Sequence, residues 1–167
     1  NIRVWQADGT MAALLPDAGE LFMRWSPNGE WLALRGRNST VIHVCQANGT
    51  KRTVLKGHDD WITGCAWSPD GRRLASASAD ETALVWRLDG TPERVLDAHR
   101  GPVHDALWSA DGKHIFTASE DATVRQWNAD TGESGWVGVF LGENSPVTFN
   151  SAGEMLHGDP EVIEKEL

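Results

Sequence analysis

Trp67-Ser-Pro-Asp-Gly71-Arg-Arg-Leu-Ala-Ser-Ala-Ser-Ala-Asp80, preceded by Gly57-His58 and followed by Trp86, is the stretch that decides the fold. Asp-Gly favours the φ > 0 geometry of a tight hairpin turn. The apolar stretches on either side of it are too short for long helices, and some, such as Thr82–Trp86 and Thr123–Trp127, alternate. Working outward, a glycine after a turn-type residue recurs at Gly9, Gly29, Gly49, Gly71, Gly90, Gly112, Gly132 and Gly153, with spacings of 20, 20, 22, 19, 22, 20 and 21. Seven of the eight follow Asn, Asp or Thr, and the last follows Ala152, so the chain reads as a series of antiparallel hairpins.

Alternate glycines differ in what precedes them. One class follows Trp25-Ser-Pro-Asn, Trp67-Ser-Pro-Asp, Trp108-Ser-Ala-Asp and, more weakly, Phe149-Asn-Ser-Ala, with aromatics 42, 41 and 41 residues apart. The other follows strands ending at Trp5, Cys45, Trp86 and Trp127, spaced 40, 41 and 41. Two interleaved series with one period describe a four-stranded unit repeating about every forty residues. Strands A and B join at one glycine and strands C and D at the next. The B–C turns and D–A connections therefore share the opposite end of the meander.

Two units carry a resemblance to the WD40 repeat. One is Gly57-His58…Trp67-Ser-Pro-Asp-Gly…Asp80…Trp86, and the other is Ala98-His99…Trp108-Ser-Ala-Asp-Gly…Asp121…Trp127. The resemblance implies an all-β chain of β-propeller blades, each of four antiparallel strands. About four blade equivalents are expected in residues 1–158. These are a half-blade at 1–15, blades at about 21–56, 62–96 and 103–140, and a half-blade at about 145–158. An acidic tail follows at 159–167. The first full unit departs from the pattern, with Asn38 or Ser39 near the turn Asp and Cys45 in place of Trp. Three ring arrangements stay open: closure within one chain, completion by a second copy, and completion by missing blades. Each would hide the sheet edges. The opening Asn1 in place of Met suggests an excised segment.

The resemblance also implies buried structural tetrads: His58, Ser76, Asp80 and Trp86, then His99, Thr117, Asp121 and Trp127. His, Ser and Asp also make hydrolase triads. Here the set occurs twice at one repeat spacing, and neither Ser76 nor Thr117 sits on a Gly-x-Ser-x-Gly elbow. No catalytic residue is assigned and no enzyme is expected. The remaining histidines, His43, His104, His114 and His157, show no metal-ligand spacing, and no phosphate loop appears, so neither metal nor cofactor is expected.

Composition bounds the partners. Fifteen Lys and Arg against 24 Asp and Glu leave a net charge of −9, which argues against a primary nucleic-acid binder. The tail contributes to this excess, because residues 154–167 hold five acids and one Lys. No apolar run approaches the ~18–20 residues of a membrane span. Two cysteines make no disulfide framework, which points to a reducing, cytoplasmic setting. The resemblance implies a non-catalytic scaffold for protein–protein interaction, binding protein or peptide partners on its top face. The positions concerned are Asp59, Asp60, Trp61, Thr63, Arg100, His104 and Glu120. Trp61 either offers contact area there or packs on the neighbouring blade. The alternative is a sensor or regulatory propeller within a larger bacterial signalling enzyme, on the likeness of the chain's end to such WD-repeat regions.

Overall fold

The computed structural model describes residues 2–5, 8–15, 20–50, 52–141, 145–150 and 155–157. These form strands and turns, with no helix among them. A two-stranded sheet holds β1 (Ile2–Trp5) and β2 (Met11–Leu15). The first full blade is β3 (Glu20–Trp25), β4 (Trp31–Gly36), β5 (Val41–Gln46) and β6 (Arg52–Lys56). The second is β7 (Ile62–Trp67), β8 (Arg73–Ser78), β9 (Ala83–Arg87) and β10 (Pro92–Leu96). The third opens with β11 (Val103–Trp108), β12 (His114–Ser119), β13 (Thr123–Asn128) and β14 (Ser134–Leu141). It continues through β15 (Ser145–Asn150) and β16 (Met155–His157).

The turn glycines explain the meander. All seven that are described have φ between +68° and +96°, a region that costs glycine nothing. Gly153 lies outside the described residues, as does the acidic tail.

Successive strand residues point to opposite faces, and both faces of the middle blade are buried. On one face Leu74, Leu84 and Trp86 pack with Trp31, Ile42, Val44 and Leu55 of the first blade. On the other, Ala75, Ala77, Ala83 and Val85 pack with Val103, Ala106, Ile115 and Trp127 of the third. The two-stranded sheet stacks on the first blade in the same manner, placing Val4 against Leu32, Leu34 and Cys45. Each blade thus serves as the core of its neighbours.

Polar contacts repeat along the stack. The Trp67 indole N–H donates to the Arg24 carbonyl at 2.9 Å, and Trp108 donates to the Ala66 carbonyl at 3.1 Å. In both pairs the acceptor directly precedes the tryptophan that ends the previous blade's first strand. Arg73 binds the Asp130 carboxylate at 2.9 Å while its guanidinium covers the Trp108 ring. Gly64 lets β7 and β11 approach, since a Cβ there would lie 3.2 Å from Asp105 Cα.

The structure departs from the sequence reading at the C-terminal hairpin, which was expected to open a further blade. Instead β15 pairs with β14, from Trp136↔Asn150 to Leu141↔Ser145, and the third sheet has six strands. Three residues separate β14 from β15, against four, five and six at the crossings into β3, β7 and β11. A short connection favours the adjacent hairpin over a crossing to a new layer. Among the described strands β1 pairs with β2 and β16 with β15, and no pairing joins β16 to β1.

Candidate interaction face

The tetrad residues come together at the end shared by the B–C turns and D–A loops. In the second blade the Trp86 indole N–H donates to Ser76 Oγ at 2.8 Å. Ser76 Oγ lies 2.7 Å from His58 Nε2, and His58 Nδ1 lies 2.8 Å from Asp80 Oδ2. The third blade repeats this, with 2.8 Å from Trp127 to Thr117, 2.7 Å from Thr117 to His99 and 2.8 Å from His99 to Asp121. Trp86, Ser76, His58, Trp127, Thr117 and His99 are all buried.

One proton arrangement satisfies every member. The hydroxyl accepts from indole, donates to a neutral imidazole at Nε2, and the imidazole donates from Nδ1 to the carboxylate. Burial pushes the His58 and His99 pKa values down, against the pull of Asp80 and Asp121. Burial also acts to raise the two aspartates. Hydrogen bonds from Thr82 and Thr123, assisted by the histidines and loop N–H groups, outweigh it and hold both below the usual carboxylate range.

Ser76 and His58 share the Ser–His–Asp connectivity of a hydrolase. Ser76 is nevertheless fully buried, and its oxygen is already occupied by the Trp86 N–H. A nucleophile needs room for an electrophile at its oxygen, whereas Ser76 is fully enclosed.

The sequence reading missed two further partners of each aspartate. Thr82 Oγ1 donates to Asp80 Oδ1 at 2.6 Å and Thr123 Oγ1 to Asp121 Oδ1 at 2.6 Å. Ser78 and Ser119 accept the aspartates' own backbone N–H at 3.1 and 3.2 Å. The signal was present as Ser-x-Asp-x-Thr, duplicated 41 residues apart. The first blade has no such set. By register Leu34 takes the place of Ser76 and Cys45 that of Trp86. Both are buried in an apolar cluster, and the Cys45 thiol donates weakly to the Leu32 carbonyl at 3.7 Å.

The tetrads anchor the loops that carry the candidate contact residues. The Asp59 and Arg100 N–H groups each donate to a tetrad aspartate at 3.0 Å. Ser78 Oγ donates to the Asp60 carbonyl at 3.0 Å, and the Ala79 N–H donates to the Trp61 carbonyl at 2.8 Å. Ser119 and Glu120 hold Gly101 and Pro102 in the same way. The two loops therefore share a backbone frame but present different side chains. Asp59, Asp60 and Trp61 stand outward in one and Arg100 in the other, with Trp61 53 % exposed. His104 Nε2 lies 3.8 Å from Glu120 Oε1, both exposed. Thr63 differs from the rest. It is half-buried, and its hydroxyl donates to the Val103 carbonyl, so it joins two blades instead of facing outward.

Elsewhere, a groove of about 420 Å³ runs beside the first strands of the three blades, with Trp25, Leu107, His104 and Asp105 among its lining. Burial pushes the Cys65 thiol up to about 12, which makes it inert at neutral pH. No group of three or more His, Cys, Asp or Glu gathers at metal-binding distance among the described residues. No helix there is long and apolar enough to cross a membrane.

Comparison with known proteins matches residues 49–87 and 90–128 to the family described as "WD domain, G-beta repeat". Human WD repeat and SOCS box-containing protein 1 is 29 % identical over 94 residues, covering 53 % of this chain and 22 % of that protein. Protein HIR1 of Mycosarcoma maydis is 33 % identical over 87 residues, covering 52 % and 8 %. The probable cytosolic iron-sulfur protein assembly protein Ciao1 of Culex quinquefasciatus is 43 % identical over 67 residues, covering 37 % and 20 %. The matched part thus spans about a fifth or less of each relative's length.

Proposed function

Because this chain belongs to the WD40-repeat family, we propose that it is a non-catalytic scaffold that binds protein or peptide partners through the loop end of its blades. WD40 repeats are protein–protein interaction modules, and what is proposed is the surface used. The observation that carries it is Trp61, a large indole 53 % exposed on a loop clamped by Ser78, Ala79 and Asp80. A rigid exposed Trp loses little entropy on contact and offers a large area, as interface anchors do. Asp59 and Asp60 beside it, with Arg100, His104 and Glu120 around the neighbouring loop, supply the polar surround. With a net charge of −9, the partner is protein or peptide, not nucleic acid or an anionic membrane surface. The likeness to a protein whose printed name includes the word cytosolic, and two buried cysteines outside any disulfide, support a cytoplasmic setting.

A second reading is a regulatory propeller within a larger signalling enzyme; the small share of each relative that the chain matches agrees with a piece of a longer protein and does not bear on an enzyme. It changes where chemistry resides and leaves the role of these loops unaltered.

The test is comparative capture. The chain and its Trp61→Ala variant are used as baits, and co-purifying proteins are quantified by mass spectrometry. Partners lost with Trp61→Ala, at unchanged melting temperature, support the loop end. An identical partner set from both baits would remove it.

A further inference from the structure

Trp25, Trp67 and Trp108 occupy one position of the repeat, yet only two of them are paired. Trp67 is 7 % exposed and donates to the Arg24 carbonyl, and Trp108 donates to the Ala66 carbonyl. Trp25 is 49 % exposed, and its indole makes no hydrogen bond among the described residues. It borders a groove of about 280 Å³ with Val4, Trp5, Met23 and Leu32. Trp5, Met11, Met23 and Trp25 are all about half exposed, and all lie on the first three strands. At the other two junctions the first strand of the preceding blade fills the corresponding space. The groove is therefore shaped for a strand pair. Its inner strand would offer a carbonyl to Trp25, and its outer strand would pair with β1.

The same series continues to Phe149 on β15, 41 residues after Trp108. Arg24 and Ala66, the acceptors in use, directly precede Trp25 and Trp67. By that register the next acceptor is the Thr148 carbonyl. Among the described residues a donor position stands without its acceptor at Trp25, and the next acceptor position of the series falls at Thr148. These lie in strands that do not pair with each other.

We propose that the groove beside Trp25 seats the β15–β16 hairpin of a second copy of this chain. The hairpin would leave β14 and complete the β1–β2 sheet as a four-stranded blade. Two such junctions relate two copies by a two-fold axis and bury both sets of edges. This assembly is independent of which partner the loop end binds.

Sedimentation velocity on the full chain across the micromolar range tests it. Two-chain particles are expected, with Met23→Glu, at a half-exposed groove position, and Thr148→Pro, which removes a ladder N–H, each monomeric. An equimolar mixture of the two variants should recover two-chain particles, because one intact groove then meets one intact hairpin. Trp25→Phe, which removes the N–H together with part of the ring, should weaken self-association by at least about tenfold for each of the two junctions, as expected for the loss of one net hydrogen bond at each. That readout decides the matter if the other variants fail to fold. A monomeric parent chain, a dimer indifferent to Met23→Glu, or unchanged association in Trp25→Phe would each overturn the proposal.

Discussion

Ser76 and Trp86 are joined by an indole N–H donated to the hydroxyl at 2.8 Å, and that bond sets the direction of donation through the second-blade network. With its lone pair facing the indole, Ser76 has its proton left for His58 Nε2. His58 must then carry its own proton on Nδ1, toward Asp80. The relay ends on a carboxylate that also accepts from Thr82 and from the Asp59 N–H. Every buried donor in it finds an acceptor, which is the condition for such a network to stabilise the fold.

Removing its terminus breaks the chain of donation. Asp80→Ala leaves His58 Nδ1–H, Thr82 and a loop N–H without their acceptor, and should destabilise by about 2–4 kcal/mol. Asp121→Ala should behave alike because its geometry is the same. Urea denaturation of both variants reads the loss, and midpoints equal to the parent's would contradict the assignment.

Acid should act in two stages, both of the same sign. Burial holds His58 and His99 below 6.5, so their contribution is complete above pH 6.5 and shrinks as pH falls through the folded values. Hydrogen bonding holds Asp80 and Asp121 below 3.8, so theirs is present above pH 3.8 and is lost on further acidification. Stability should decline from about pH 6.5 downward and steepen below about pH 4. A urea midpoint that stays flat or rises on acidification would show that these groups are not tied into the folded state.

Ser76 should resist serine-directed phosphonate probes. Its hydroxyl is fully buried and bonded on both sides, whatever its likeness to a triad. Stoichiometric labelling that disappears in Ser76→Ala would establish a nucleophile and refute the scaffold reading.

Three B–C turns place a non-glycine residue at positive φ: Asn38 at 51°, Glu81 at 71° and Ala122 at 63°. Asn tolerates this region, whereas Ala does so at a cost. Ala122→Gly should therefore stabilise by about 0.5–1 kcal/mol after the entropy of glycine is subtracted. Asn38→Ala should cost a similar amount, although no tetrad surrounds it. Paired thermal melts measure both, and a destabilised Ala122→Gly would mean that its Cβ packs in a way the exposed position does not suggest.

The period of the chain and the hairpin turns were legible in the residues themselves, and the membership of the tetrads was implied by the family resemblance that those residues carry. Each depends on local chemistry repeated at fixed spacing: Gly at φ > 0, alternation along strands, and His, Ser or Thr, Asp and Trp recurring 41 residues apart. Three matters were decided only by tertiary structure. Thr63 turned inward because a neighbouring blade brought the Val103 carbonyl within reach, and no spacing within one repeat encodes that approach. Trp61 stood outward because its backbone, not its ring, is what Ala79 holds. The β15–β16 hairpin carries the residues of a new blade, yet it lies on β14. A three-residue connection and a free outer edge compete with the repeat pattern, and the competition between two pairings of one strand is settled by which edge is available, not by the strand's own sequence.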